Sequence, residues 1–306
     1  MIVVVAPGQG SQTPGFLSPW LEQPASRELL QTLSTAADLD LIEHGTVSDA
    51  DTIRDTAIAQ PLIVAAGILT LSALLDGAST TPAGIAGHSV GEITAASGAG
   101  ILTPTDAMTL VAARGRAMAE AAALVDTGMS AVIGGDIAIT EARLAELGLF
   151  PANYNGGGQL VVAGAKDALA TLAAEPPAGT RVIPLQVAGA FHTSYMQSAV
   201  EKVREVASTL APADPTLTIW TNSDGTQVTS GRAYLDLLVG QVSSPVRWDS
   251  TMESFSAAGV TGIIELAPAG ALVGLAKRGL KGVPTVGIKT PADLDAARAM
   301  LEGAAA

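Results

Sequence analysis

The chain contains no cysteine. Disulfides, thiolate catalysis and Cys-ligated metals are thereby excluded, and a cytoplasmic setting is the expectation. Basic residues are also few: 16 Lys and Arg stand against 29 Asp and Glu, a formal net charge of −13. Nucleic acid is excluded as a partner, because phosphate contacts need clustered Lys and Arg; the surplus of acid reads as a solubility feature. Aromatic residues make up only 3% of the 306, although 48% are hydrophobic, so the core must be built from Ala, Val and Leu. The longest apolar stretch, "PLIVAAGILTLSALL", is 15 residues and carries a Gly, a Thr and a Ser. A membrane-spanning helix needs ~20 largely uninterrupted apolar residues, so no membrane segment is expected. The start, "MIVVVAPG", has no basic stretch and reads as a strand, not a signal peptide. Histidine is scarce as well: only His44, His88 and His192 are present.

What is there reads as an α/β chain. "MIVVVA" is an unbroken β-branched run of the kind buried on both faces. A Gly/Pro loop, "PGQGSQTPG", follows, then helical patterns over 24–37 and 58–75. "AGIAGH" at 83–88 is a second short strand that runs into "SVGE", with a helix over 90–98. A further helix starts at Thr103, a good N-cap, with Pro104 at its first position and Asp106 in its first turn. Its apolar stripe comprises Ala107, Leu110, Val111 and Met118. Arg114 falls on that stripe, where a core residue is expected; Arg116 falls off it.

Residues 127–189 change character. The order β-α-β-β-α-β, from "MSAVIGG" through "TRVIPLQV", is that of a ferredoxin-like unit. The parallel pattern then resumes, with helices near 193–209, 231–242 and 249–258, strands in "LTIWTNSDGTQVTS", "GIIEL" and "TVGIK", and a last helix capped by Thr290, Pro291 and Asp293. The expected fold is α/β: a large α/β-hydrolase-like domain with a parallel sheet, over 1–126 and 190–306, plus a small inserted ferredoxin-like subdomain over 127–189.

Gly87-His88-Ser89-Val90-Gly91 has two readings. It is either a nucleophile on a strained strand-to-helix turn, with the helix N-terminus aimed at an oxyanion, or a tight connection that needs glycines. A nucleophilic serine needs a base. His88 is too close in sequence, because neighbouring side chains on a sharp turn diverge. His44, in the polar run "DLIEHGTVSDAD", reads as a surface loop histidine. His192, in "GAFHTSYM", is left as the only plausible base, and no obvious acid follows it. "PGQGSQ" lacks the spacing of a dinucleotide or Walker loop; it is either a plain turn or a second source of oxyanion N–H groups at a strand end. Arg114 is either half of a buried ion pair or a fork held for a substrate carboxylate.

"PGQGSQ", "GHSVGE", "ARGRAM", "NYNGGGQLVVAG", "AFHTSYM" and "SSPVRW", in this order and spacing, resemble the malonyl-CoA:acyl-carrier-protein transacylases, the family that includes the acyltransferase domains of fatty acid and polyketide synthases. The resemblance covers essentially the whole chain, and the length and Ala-rich composition resemble a free-standing, actinobacterial member of type II fatty acid synthesis. It implies a malonyl transfer by a ping-pong route in which Ser89 is malonylated and His192 is its base. It implies that the main-chain carbonyl of Gln241 orients His192 in place of an acid. Gln9 and Val90 resemble the two oxyanion N–H donors and Arg114 the holder of the malonyl carboxylate, with Asn153, Asn155 and Met118 in support beside the site. No cofactor and no metal are implied: malonyl-CoA and the phosphopantetheinyl acyl carrier protein are substrates. Carrier protein is acidic, so docking on a chain of −13 needs a local basic patch, either Lys277, Arg278 and Lys281 or Lys202 and Arg204. A monomer is expected. A serine thioesterase or hydrolase with the same turn, an acyltransferase of different acyl specificity, and a non-catalytic binder of acyl carriers are the rival readings.

Overall fold

The computed structural model describes residues 1–303. Its strands in chain order are β1 (Ile2–Ala6), β2 (Gly84–Gly87), β3 (Thr127–Gly134), β4 (Phe150–Gly156), β5 (Gln159–Ala165), β6 (Thr180–Pro184), β7 (Thr218–Ile219), β8 (Val246–Arg247), β9 (Gly262–Glu265) and β10 (Thr285–Gly287). Five of them form a wholly parallel sheet in the order β10-β9-β1-β2-β7. The β-branched run of β1 is explained by its central place. Val4 and Ala6 join the main core on one face, whereas Val3 and Val5 join a second core around Trp220, Trp248 and Phe255 on the other. Strands β1 and β2 are neighbours, so the loops at their carboxyl ends open side by side, where α/β sheets place their sites.

The second sheet has the order β6-β3-β5-β4-β8. Its first four strands are antiparallel and have the ferredoxin-like arrangement, with helices Ile137–Leu147 and Lys166–Ala174 between them. The fifth, β8, comes from the chain that follows and lies parallel to β4, pairing Asn153 with Val246 and Tyr154 with Arg247. Two residues are too short a run to carry a period-2 pattern, so β8 has no signature in the sequence.

Several expectations need correction. His44 is not in a loop: it lies in the helix Leu41–Thr46, whose first turn is held by Asp40 accepting from Glu43 N at 2.9 Å. The helix expected over 193–209 starts with a 3₁₀ turn, Ser194–Met196, and is α-helical only over Gln197–Ser208. Strand β6 stops at Pro184; Leu185 N still donates to Met129 O of β3 at 2.9 Å, and Leu185 and Val187 line a cleft. "LTIWTNSDGTQVTS" is a strand only at Thr218–Ile219, with one further bridge from Trp220 to Gln227. The helix Thr56–Leu75 runs for 20 residues and is long and apolar enough to cross a membrane by length and composition alone, but it is mostly buried within the protein. Apolar on every side, it packs as a core helix, chiefly against Pro104–Ala123. That second helix begins as expected, with Thr103 Oγ1 accepting from Asp106 N at 3.1 Å.

Candidate active site

Ser89 sits on the turn between β2 and the helix Gly91–Gly98, with φ at +53°. That is a costly conformation for a residue with a side chain. Crowding imposes it. A Cβ at Gly91 would stand 2.2 Å from Ala6 O, and one at Gly87 would stand 2.0 Å from the carbonyl carbon of Gly91. Asn222 clamps the turn from behind: its Nδ2 donates to Gly87 O and its Oδ1 accepts from Ser89 N, both at 2.7 Å.

His192, 4% exposed, also has positive φ, at +61°. Its Nε2 lies 2.7 Å from Ser89 Oγ and its Nδ1 lies 2.9 Å from the main-chain O of Gln241. A carbonyl can only accept, so Nδ1 carries the proton and the Nε2 lone pair faces the serine hydroxyl. Burial, and then the Arg114 cation, press the imidazole pKa down to about 3. The ring is therefore neutral at pH 7 and free to accept a proton. His88 points elsewhere, its Nε2 2.9 Å from Asn155 Oδ1 and its ring edge-on to Trp248.

Arg114 is 2% exposed and has no carboxylate within ion-pair reach among the described residues. Two neutral amides hold it instead. Nη1 donates to Gln60 Oε1 at 2.6 Å, and Nη2 donates to Gln241 Oε1 at 2.7 Å and reaches Ser89 Oγ at 3.5 Å. Burial brings the guanidinium down to about 10, with Glu92 acting in the opposite direction, so it is charged at pH 7. A buried cation whose partners are all uncharged is unusual, and this one stands beside the serine hydroxyl.

These groups open on a cavity of about 390 Å³. Gln9, Val90, Met118, Asn153 and Asn155 line it, as do Ser89, Arg114 and His192. Among the described residues, neither Gln9 N–H nor Val90 N–H has a hydrogen-bond acceptor. Both lie on the loops after β1 and β2. Of the basic residues considered for a partner, Arg278 reaches the cavity, on the helix Ala271–Gly279 that also carries Lys277. Lys202 and Arg204 are away from it, ion-paired with Glu120 and Glu201 respectively. Among the described residues, no group of three or more His, Asp or Glu is placed to hold a metal.

Three polar residues of the site escape sequence reasoning: Gln60, Asn222 and Glu92. Gln60 carried a usable sign, an amide inside an otherwise apolar helix. Glu92 is 1% exposed, and burial raises its carboxyl to about 8. Only the fold brings Asn222 behind the turn, from 133 residues away. Chemically, the arrangement offers an alcohol in contact with a neutral base, two open N–H donors and a fixed cation within one cavity.

A model of the acyl transferase domain matches residues 3–299. The malonyl CoA-acyl carrier protein transacylase of Mycobacterium tuberculosis (strain H37Rv) is 50% identical over 300 residues, covering 96% of this chain and 98% of that one. The crystal structure of MCAT from Mycobacterium tuberculosis superimposes with a TM-score of 0.94 at 49% identity, covering 97% and 99% of the two chains. A type II polyketide synthase acyl carrier protein in complex with its malonyl-transacylase gives 0.92 at 28% identity, covering 99% of each.

Proposed function

The chain belongs to the acyl transferase family, and from that premise we propose that it moves a malonyl group from malonyl-CoA to the phosphopantetheine thiol of an acyl carrier protein. The observation that carries this reading is the Arg114 guanidinium, charged, with no carboxylate within ion-pair reach among the described residues, and 3.5 Å from Ser89 Oγ. A carboxylate on the acyl group would meet it; a simple acyl group would leave it unanswered.

The reaction runs in two halves. His192 Nε2 takes the proton of Ser89 as Oγ attacks the thioester carbon. The negative charge that develops on the carbonyl oxygen is held by Gln9 N–H and Val90 N–H. The Gln241 carbonyl keeps His192 in the required tautomer and supports the imidazolium, so no acid is needed. CoA thiolate leaves with the proton from His192. In the second half His192 deprotonates the carrier thiol, which attacks the malonyl ester and regenerates Ser89. Arg114 grips the malonyl carboxylate throughout, and Met118, Asn153 and Asn155 shape the wall beside it. No cofactor or metal enters these steps.

The carrier docks, in this reading, at Lys277, Arg278 and Lys281, because Arg278 borders the cavity while Lys202 and Arg204 are occupied by acids of their own helices' surroundings. The reading divides the chain into a catalytic part, 1–126 and 190–306, and an inserted part, 127–189, that walls the cleft. The reacting groups meet within one chain, so the reaction in this reading needs no second copy and a monomer suffices, and the absence of cysteine supports a cytoplasmic setting.

Intact-mass measurement tests it. After mixing with malonyl-CoA the wild type gains one malonyl group and Ser89→Ala gains none. Failure of the wild type to label overturns the reading, and an adduct released to water as fast as it forms favours a hydrolase.

A further inference from the structure

Resting on that reading, we propose that Glu92 is a positioning residue: it decides which end of the Gln241 amide faces Arg114, and so how firmly the site holds an acyl carboxylate, without touching substrate.

The hydrogen bonds of Gln241 leave it one orientation. Its Nε2 donates to Glu92 Oε2 and, at 3.1 Å, to Ser89 O. Its Oε1 accepts from Arg114 Nη2 at 2.7 Å. Turning the amide over would set an NH2 group against the guanidinium and a carbonyl against two acceptors. Ser89 O is one of those acceptors and belongs to the turn. Glu92 is the other, and the only side chain among them that could be changed.

The opposite oxygen of Glu92 has a second task. Oε1 accepts from Asn222 N at 2.7 Å, with Tyr234 Oη 3.4 Å away. The Asn222 side chain in turn holds Gly87 O and Ser89 N. One carboxyl thus stands behind both the carboxylate clamp and the serine turn. It does so with no cation within ion-pair reach among the described residues, in a place where burying an acid is expensive. A carboxyl offers an acceptor on each side at once even when it holds a proton, because an Oε1 hydroxyl can turn its hydrogen toward Tyr234 Oη and still accept from Asn222 N; the NH2 of an amide of the same shape cannot accept.

That difference supplies the test. In Glu92→Gln the introduced carbonyl must take Asn222 N–H, a main-chain donor that cannot turn. The introduced NH2 then faces Gln241 Nε2, donor against donor, and the Gln241 amide turns over toward Arg114. We expect the KM for malonyl-CoA to rise ~10-fold or more, as for a lost hydrogen bond to a charge. The kcat should change far less, and the malonyl-over-acetyl preference should fall in step with the rise in KM. An unchanged KM and preference overturn the proposal. So does a parallel loss of malonyl and acetyl transfer, which is what a merely structural acid would give.

Gln241→Leu removes the amide through which Glu92 acts and keeps the main-chain carbonyl for His192. It should raise the malonyl-CoA KM by itself, and adding Glu92→Gln should change nothing more. An unaltered KM in Gln241→Leu overturns the proposal however Glu92→Gln folds, and additive effects overturn it too. Arg114→Ala separates the two levels. If it keeps the malonyl preference, the role given to Arg114 falls. If it abolishes the preference while Glu92→Gln does not, the Glu92 proposal falls alone.

Discussion

Arg114 and Gln60 lie 54 positions apart in the chain and meet inside the protein, Nη1 donating to Oε1 at 2.6 Å. They belong to the two helices that pack most extensively against each other, Thr56–Leu75 and Pro104–Ala123. The position of the guanidinium is therefore a property of that helix pair. Gln60→Ala leaves half of the buried fork without an acceptor. A hydrogen bond to a charge is worth ~1.5–3 kcal/mol, so the melting temperature should drop and the KM for malonyl-CoA should rise by ~10-fold or more. Thermal melts with steady-state kinetics check both; a variant with wild-type KM would show that Gln60 does not hold the clamp.

Arg114→Ala should remove the selectivity itself. Malonyl transfer should fall steeply while acetyl transfer rises relative to it, because a carboxylate then enters a site with no cation. Competition between malonyl-CoA and acetyl-CoA, read as adduct masses, measures the ratio. Persistence of the malonyl preference would sink the clamp.

His192→Ala should slow formation of the malonyl adduct by ~10²–10⁴-fold, the usual contribution of a positioned base. Binding of malonyl-CoA should persist, since Arg114 and the cavity are intact. Rapid-quench mass spectrometry gives the rate and calorimetry the affinity. An acylation rate within a few-fold of wild type would exclude His192 as the base.

Reversing Lys277 and Lys281 to Glu should raise the KM for an acidic carrier protein and leave that for malonyl-CoA unaltered. Reversing Lys202 and Arg204 should have the smaller effect, because Glu120 and Glu201 already screen them. Rising salt should weaken the first effect. An unchanged carrier KM in the first pair, or a larger shift in the second, moves the docking surface elsewhere.

Stability should depend on pH through the same buried groups. His192 is held at about 3 against an ordinary 6.5, and His88 is lowered in the same direction. The unfolded chain binds protons there that the folded chain refuses, so these two groups make stability fall as pH drops below 6.5. Glu92 is raised from 4.5 to about 8, and Glu265 is also raised. The folded chain keeps those protons longer, so they make stability fall as pH rises above 4.5. The two effects oppose each other in between. Above 6.5 the histidines no longer contribute, and Glu92 should make stability decline with rising pH until about 8. Denaturant titrations across pH should show that decline in the wild type and a flatter limb in Glu92→Gln; equal slopes would refute it.

By itself the sequence determined the local structure and the chemical inventory. The helix over 24–37, the cap at Thr103 and the ferredoxin-like order were legible because they rest on short-range patterning. So was the pairing of His192 with Ser89, because three histidines leave little to choose from. Arg114 stood out as a charge on an apolar stripe, but whether an acid or an open cavity faced it was undetermined, since a stripe says nothing about the opposing helix. Only the tertiary structure placed Gln60 and Gln241 around it, 54 and 127 residues away, and Asn222 behind Ser89, 133 residues away. It alone added β8 to the second sheet, showed Glu92 with no cation within ion-pair reach among the described residues, and held Lys202 and Arg204 away from the cleft. Hydrogen-bond partners distant in sequence leave no periodic mark on it; they exist only once both backbones have packed.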